Sequence, residues 1–322
     1  MTDDTATQST GRMTPDVSVI IPAHNRCAMV CEAVESVLAQ TGGVDFELIA
    51  VDDGCSDGTF EHLNQGAAGN HAMRVERIEH SGPAAARNRG VACSRGSWIA
   101  FLDSDDLWMP TKLSRQLSFV RAHSGLGICQ TQEIWIRNGR RVNPGVRHIK
   151  RGGDIFVDSL VTCLISPSAV MLRTDLFRAT GGFDEAMLAA EDYDLWLRIL
   201  VDHEIGLLDE PLVTRRAGHR DQQSASTPAI DRFRILALAK LLADSRLDRR
   251  RRCATAGVLS EKCRIYAGGL ERRGNREAAD FYSQTGELAR TRWKSAPDDS
   301  IEQSTARMRS LLKEQSCAVM QA

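Results

Sequence analysis

Trp98-Ile-Ala-Phe-Leu-Asp-Ser-Asp-Asp-Leu107 is the stretch whose reading decides the fold. An apolar run of strand length reads as a buried strand, and this one stops abruptly in Asp103, Asp105 and Asp106. Carboxylates a few ångströms apart repel one another. Something must neutralise them, and a divalent cation held by hard oxygen ligands is the simplest candidate. The plainer alternative is a set of surface acids in a turn, with Asp106 near the start of a helix that opens around Pro110.

The flanking sequence repeats the same grammar. Val17–Ile21 is a short apolar strand stopping at Pro22, followed by the loop Ala23-His24-Asn25-Arg26 and a helix over about 27–40. Val30, Ala33, Val34, Val37 and Leu38 share one stripe of that helix, and Gly42-Gly43 ends it. Phe46–Val51 is a second strand, ending in Asp52-Asp53-Gly54 and a turn rich in Ser, Asp and Gly. Residues 73–79 suit a third strand. Ser81-Gly82-Pro83 opens a helix that carries Arg87, Asn88 and Arg89, with proline in its first turn.

Strand and helix in alternation imply a parallel sheet with right-handed crossovers. Ligands of such sheets sit in the crevice beyond the carboxyl ends of the strands. Here those ends carry His24-Asn25, Asp52-Asp53 and Asp103-Ser104-Asp105-Asp106.

After a helix near 111–123 the pattern changes. Gly127–Arg137 and Arg140–Val146 flank Asn138-Gly139, a hairpin signal, so the sheet is expected to be mixed. Ser168–Leu172 reads as a strand, and Ile205–Arg215 as one or two short strands around Pro211. In Ala190–Arg198 the apolar residues repeat at helical spacing, so Glu191 and Asp192 fall in a first turn, where the helix dipole favours acids. They are either helix-start acids or carboxylates aimed into the crevice. His219 stands in a polar loop.

Beyond about 228 the chain reads as helices, with Phe233, Leu236, Ala237, Lys240 and Leu241 on one stripe. Arg249–Arg252 and Arg272-Arg273 suit a solvated helix surface, or alternatively contact with an anionic membrane surface or a lipid-linked phosphate.

Composition bounds the function. The 322 residues are 42% hydrophobic and 26% charged, with a formal net charge of −1. No global field favours nucleic acid, and no apolar run approaches the ~18 residues of a membrane span. Residues 1–15 are expected to be a disordered tail; they do not resemble a signal peptide, and Met13 is an alternative start. Nine scattered cysteines without a CxxC suit a reduced, cytoplasmic protein. Cys27 and Cys31 share a helix face and read as packing residues.

Six segments in order resemble the family 2 glycosyltransferases of GT-A fold: Val17–Asn25, Val51–Gly58, Gly82–Gly90, Phe101–Asp106, Gly181–Asp184 and Glu191–Trp196. The resemblance runs from about 16 to 225. It implies an α/β GT-A fold over 16–227, with a mixed, mostly parallel sheet and flanking helices, followed by a helical extension over 228–322.

It also implies an inverting hexosyl transfer from a nucleotide-diphosphate sugar to a sugar or lipid-linked acceptor, in bacterial polysaccharide or glycoconjugate synthesis. Mg²⁺ or Mn²⁺ assists, and the basic C-terminal helices offer a peripheral contact at the inner face of the membrane. By the match, Asp192 is the catalytic base. Pro22, His24, Asn25, Asp52, Asp53, Arg87, Asp103 and Ser104 bind the donor, with Asp53 on its base and Arg87 near diphosphate or ribose. Asp105 and His219 serve the metal, and Glu191 and Trp196 face the acceptor. The family's strand-end turn reads DDGS; here Cys55 replaces that serine, and Ser56 is the nearest substitute.

Three rivals stand beside this. A dehalogenase-like phosphatase also places Asp-x-Asp after a strand, but near the start of its fold. A nicotinamide enzyme would need a G-x-G-x-x-G after a strand. A catalytically inactive sugar-nucleotide-binding or scaffolding module would be expected to lack Asp105 or Asp192, and both are present.

Overall fold

A computed structural model describes residues 14–218 and 229–320. The expectations for the N-terminal tail and for His219 therefore concern residues outside the described ones.

The alternating half forms as its pattern dictates: β1 (Val17–Ala23), α1 (Cys27–Leu38), β2 (Phe46–Asp53), α2 (Thr59–Ala67), β3 (Met73–Ile78), α3 (Pro83–Ala92) and β4 (Trp98–Phe101). Strands β3, β2, β1 and β4 lie side by side in parallel. β1 continues through Pro22 instead of stopping before it, pairing Pro22 with Val51. Its pairing with β4 has already ended at Ile20, so the missing N–H leaves no ladder partner unmet there.

The second half adds β5 (Leu107–Trp108), α4 (Lys112–Ala122), β6 (Ile128–Arg137), β7 (Arg140–Val142), α5 (Phe156–Val161), β8 (Val170–Arg173), α6 (Thr174–Ala179), α7 (Glu191–Leu200) and β9 (Gly206–Ala217). β4 pairs antiparallel with β8, β8 with β6, and β9 with β5, while β6 and β9 run parallel. The hairpin turn is as read: Asn138 and Gly139 both have positive φ, 50° and 72°, the geometry that suits the twist of the strands.

Two details differ from the sequence expectation. Ile205–Arg215 belongs to one long strand, which shifts register opposite Thr131–Glu133 where Pro211 falls, a bulge being where a strand tolerates proline. Ser168 precedes its strand in a 3₁₀ turn, Pro167–Ala169.

Both faces of the sheet are covered. In β1, Val17, Val19 and Ile21 join one core with Val30 of α1 and Leu113 of α4, while Ile20 joins the other. That second core continues without a break into the C-terminal helices α8 (Asp231–Leu242), α9 (Arg249–Arg272), α10 (Arg276–Leu288) and α11 (Asp299–Met320). Ile20, Phe101, Trp196, Phe233, Leu236, Tyr282, Trp293 and Met308 all belong to it.

The extension is thus the cover of one sheet face. Lys240 reinforces it, its ammonium 2.6 Å from both Asp184 and Asp194. Removing residues 228–322 should expose this core and give a chain that aggregates or unfolds; a soluble, cooperatively melting 1–227 fragment would contradict the arrangement.

The arginine run does not all face solvent. Arg252 is buried and donates to the carbonyls of Leu242 and Asp244, closing the end of α8. Arg251 donates to the Val201 carbonyl and pairs with Asp154. Only Arg249 and Arg250 of the four are exposed, which weakens the membrane alternative for this run.

Candidate active site

The strand ends open into one cavity of about 800 Å³. Its floor is the β4–β5 turn. Asp106 is buried there; its carboxylate accepts from Ser168 Oγ at 2.6 Å and from the Arg216 backbone N–H at 2.9 Å. The 3₁₀ turn that displaces Ser168 from β8 makes the first contact possible. Asp103 pairs with Arg87 at 2.7 Å, and Asp105 with Arg26 at 2.9 Å. Burial, with Asp105 and Asp103 close by, pushes the Asp106 carboxyl well above the usual carboxylate range.

Carboxylate oxygens of all three aspartates lie within 4.8 Å of one another. Hard oxygen donors, crowded and mutually repelling, fit a divalent cation by their chemistry. Arg26 and Arg87 hold part of the negative charge.

The second wall is the start of α7. Ala190 precedes it in a left-handed conformation, φ 56°. That conformation costs a non-glycine residue energy and collects at functional sites. Asp192 then faces the cavity, half-buried, with one oxygen receiving the Tyr193 N–H at 2.7 Å and the other 3.6 Å from Cys163 Sγ. Burial, and then Asp192 itself, push the Cys163 thiol up.

Arg87 ties the two walls together. Its guanidinium sits 2.7 Å from Asp103 and 2.7 Å from Glu191. Gly90 lets its helix lie close on β1: a Cβ there would meet Ile20 Cγ2 at 2.4 Å. The resemblance placed Arg87 against diphosphate or ribose. Here it is a buried strut, already committed to two carboxylates, although it lines the cavity.

The nucleotide-side expectations divide. Pro22, His24, Asn25, Asp53, Ser104 and Asp105 line the cavity. Asp53 is already employed: its carboxylate accepts the Ser81 and Gly82 N–H groups at 2.7 and 3.0 Å, with His80 Nδ1 at 3.0 Å. It anchors the loop that opens α3. His24 stacks on His80, ring centroids 3.9 Å apart, with Nδ1 2.7 Å from the Asp53 carbonyl oxygen.

Asp52 does not reach the cavity. It is fully buried, accepting from the Cys55 N–H at 3.3 Å and pairing with Arg77 at 3.2 Å, because strand alternation turns it away from Asp53. Cys55 takes over the turn contact expected of serine, receiving the Asn25 N–H at 3.2 Å and lying 3.4 Å from the Ala23 carbonyl. Burial pushes its thiol up to about 11.

Of the two acceptor-side residues, the expectation for Trp196 is corrected. Trp196 is 1% exposed and packs edge-on against Phe183, away from the cavity; its helical position points into the shared core. Glu191 is buried yet lines the cavity, one oxygen on Arg87 and the other without a hydrogen-bond partner among the described residues.

Several cavity residues carried no motif: His80, Glu133, Trp135, Lys150, Cys163, Arg215, and Arg234 from the C-terminal helices. Glu133 is the hub of this third wall. It accepts from Ser166 Oγ and from Trp135 Nε1 at 2.9 Å, and it pairs with Lys150 at 3.1 Å. Although burial opposes ionisation, Lys150 and Arg215 hold the Glu133 carboxyl down at about 2.

A folded-state value below the unfolded one, about 4.3, gives stability present above that value and lost as pH falls toward 2. Glu133→Gln strands the buried Lys150 ammonium and should cost about 3–5 kcal/mol at neutral pH. Urea unfolding of wild type and variant should converge on acidification toward pH about 2. A gap constant with pH would contradict the pairing.

Comparison with known proteins agrees with this geometry. The family described as "Glycosyl transferase family 2" matches residues 18–181, just over half of the chain. An uncharacterized glycosyltransferase of Rickettsia felis is 35% identical over 196 residues, covering 61% of this chain and 32% of that relative. The chondroitin synthase of Pasteurella multocida is 31% identical over 188 residues, covering 58% of this chain and 19% of its own. The chain therefore spans about a third or less of the length of these relatives.

Among solved structures, S. aureus TarS in complex with UDP-GlcNAc superposes with a TM-score of 0.59 at 17% identity, covering 86% of this chain and 92% of that one. The Pyrobaculum calidifontis mannosyltransferase in complex with GDP-Man and Mn2+ gives 0.55 at 16% identity, covering 94% and 87%. These likenesses show a common GT-A fold. With the matched family segment, they make this chain a member of glycosyl transferase family 2.

Proposed function

We propose that the protein transfers a sugar from a nucleotide-diphosphate donor to an acceptor hydroxyl with inversion. The observation that carries this is one cavity holding both the aspartate triad of the β4–β5 turn and, on a separate wall, the half-buried Asp192. A donor diphosphate needs charge neutralisation at its leaving group, and an acceptor hydroxyl, with a pKa far above neutral, needs a base. The aspartate triad would supply the first through a bound divalent cation, and Asp192 the second.

Asp103 and Asp105 would hold Mg²⁺ or Mn²⁺, with Asp106 buried behind them. When bound, the ion acts as a Lewis acid toward the departing nucleoside diphosphate. Asp192 takes the acceptor proton. Arg87 fixes the separation between Asp103 and the turn carrying Asp192. His24, Asn25 and Asp53 line the nucleotide end, as the resemblance implies. The TarS complex with UDP-GlcNAc and the mannosyltransferase complex with GDP-Man and Mn2+ support the donor class. The chondroitin synthase relative supports a place in polysaccharide or glycoconjugate assembly.

Among the described residues, no helix is long and apolar enough to cross a membrane. A cytoplasmic enzyme is the reading; the exposed Arg249, Arg250, Arg272 and Arg273 leave only a small basic surface for any peripheral membrane contact.

The test is nucleoside diphosphate release from a panel of nucleotide sugars with Mg²⁺ or Mn²⁺. One or a few donors should be turned over, and excess chelator should lower the rate at least about tenfold. No release from any donor would overturn the reading, and full activity in chelator would remove the metal from it.

A further inference from the structure

On the third wall of the cavity, among the described residues, cations share their nearest carboxylates. Glu133 is shared by Lys150 at 3.1 Å and Arg215 at 4.0 Å. Asp231 is shared in the same way by Arg234 at 3.3 Å and Lys262 at 3.1 Å. Two carboxylates thus serve four cations, of which Lys150, Arg215 and Arg234 line the cavity. Lys150 is 5% exposed, and the Nε–H of Arg234 is buried without a hydrogen-bond partner among the described residues.

Arg215 also feels Asp103, Asp106 and Asp192. Those carboxylates have other duties: Asp103 holds Arg87, Asp106 holds Ser168 and the Arg216 N–H, and Asp192 faces the cavity as the base of the proposed reaction. Of these cations Lys150 is buried, while Arg215 and Arg234 keep 38% and 26% side-chain exposure, so their guanidiniums are open to an anionic group entering the cavity.

The position of these cations says which ligand. Cys163, 3.6 Å from Asp192, lies within electrostatic reach of both Lys150 and Arg234. The cations therefore flank the group that must touch the acceptor hydroxyl. Trp135 stands on the same wall, with the Arg215 guanidinium 5.0 Å from its ring centre. That arrangement fixes the guanidinium; the His148 ring stands 5.4 Å from Trp135 as well, and the part of the indole that lines the cavity is the apolar surface a pyranose ring would meet.

Resting on the transferase reading above, we infer that the acceptor is an anionic glycan, with a carboxylate or phosphate seated on Arg215 and Arg234 and a sugar ring against Trp135. A charge-assisted contact to either guanidinium supplies tightness and selects against neutral acceptors.

The test uses the full chain, free and again saturated with UDP or GDP plus Mn²⁺. Calorimetry measures binding of a galacturonate oligosaccharide, a galactose oligosaccharide of equal length, and inorganic phosphate. An anionic probe should bind in both states and the neutral one should bind at least about tenfold more weakly. Binding of the galacturonate identifies a carboxylate acceptor; binding of phosphate alone identifies a phosphate one.

Arg215→Gln and Arg234→Gln should each weaken the anionic probe about ten- to a hundredfold, with nucleotide affinity kept within about twofold. Should either variant fail to fold, wild-type titrations in rising NaCl decide: anionic binding must weaken steadily with salt. The inference is overturned if no anionic probe binds, if galactose binds as tightly as the tightest anionic probe, or if the variants lose nucleotide and anion affinity in parallel. That last result would assign the cations to the donor diphosphate. Failure of both nucleotides to bind would count against the transferase reading instead, and the arms run without nucleotide would still decide the anion question.

Discussion

Asp192→Asn is expected to bind nucleotide and metal as the wild type does and to turn over about 10²–10⁴-fold more slowly, the usual contribution of a positioned general base. The side chain is held as the proposed role requires. One oxygen takes the Tyr193 N–H at 2.7 Å, which fixes its rotamer, and the other points to the cavity beside Cys163. The amide keeps the shape and one acceptor oxygen, so folding should be unaffected. It cannot accept the acceptor's proton. Nucleotide affinity by calorimetry and initial rates of nucleoside diphosphate release separate the two effects. Near-normal turnover would remove Asp192 as the base, and lost nucleotide affinity would give it a different role.

The second large effect belongs to Arg87. Its guanidinium is 6% exposed and compensates both Asp103 and Glu191. Arg87→Met should cost about 3–5 kcal/mol of stability, because truncating one partner leaves buried charge uncompensated. The burden falls chiefly on Glu191, 2% exposed, since Asp103 retains 31% side-chain exposure and can be hydrated. Burial already pushes the Glu191 carboxyl up against the pull of Arg87; without the guanidinium it should protonate more readily still. The double variant Arg87→Met, Glu191→Gln should therefore recover a substantial part of the loss, as a double-mutant cycle reads directly. Additive losses in the two single variants, or a loss below about 1 kcal/mol for Arg87→Met, would contradict the strut.

What the sequence disclosed follows from where the physics is local. The apolar runs ending in Asp53, Asp103 and Asp106 announced both strands and strand ends, because hydrophobic periodicity and carboxylate crowding are properties of adjacent residues. The Asn138-Gly139 turn was legible for the same reason. Asp52 and Trp196 were misplaced because a motif gives a position in the chain and not a side-chain direction. Alternation buried the first, and the helical stripe shared with the C-terminal core buried the second.

The Arg87–Glu191 pair joins residues 104 apart, a distance no local pattern spans. Glu133, Lys150, Arg215 and Arg234 meet only because β6 pairs with β9 and α8 covers the sheet. One signal was available for this wall. Glu133 interrupts the otherwise uncharged run Ile128–Ile136, and a charge inside a strand usually has a buried partner.

The account stands most directly on the stereochemistry of transfer. In the proposed reaction, a single base, Asp192, facing a donor whose leaving group is held at the aspartate triad leaves one displacement and no covalent intermediate. With an α-linked nucleotide sugar as donor, proton NMR at early times should show the sugar, passed to the acceptor or to water, in the β configuration before any mutarotation. First-formed product in the α configuration would contradict it.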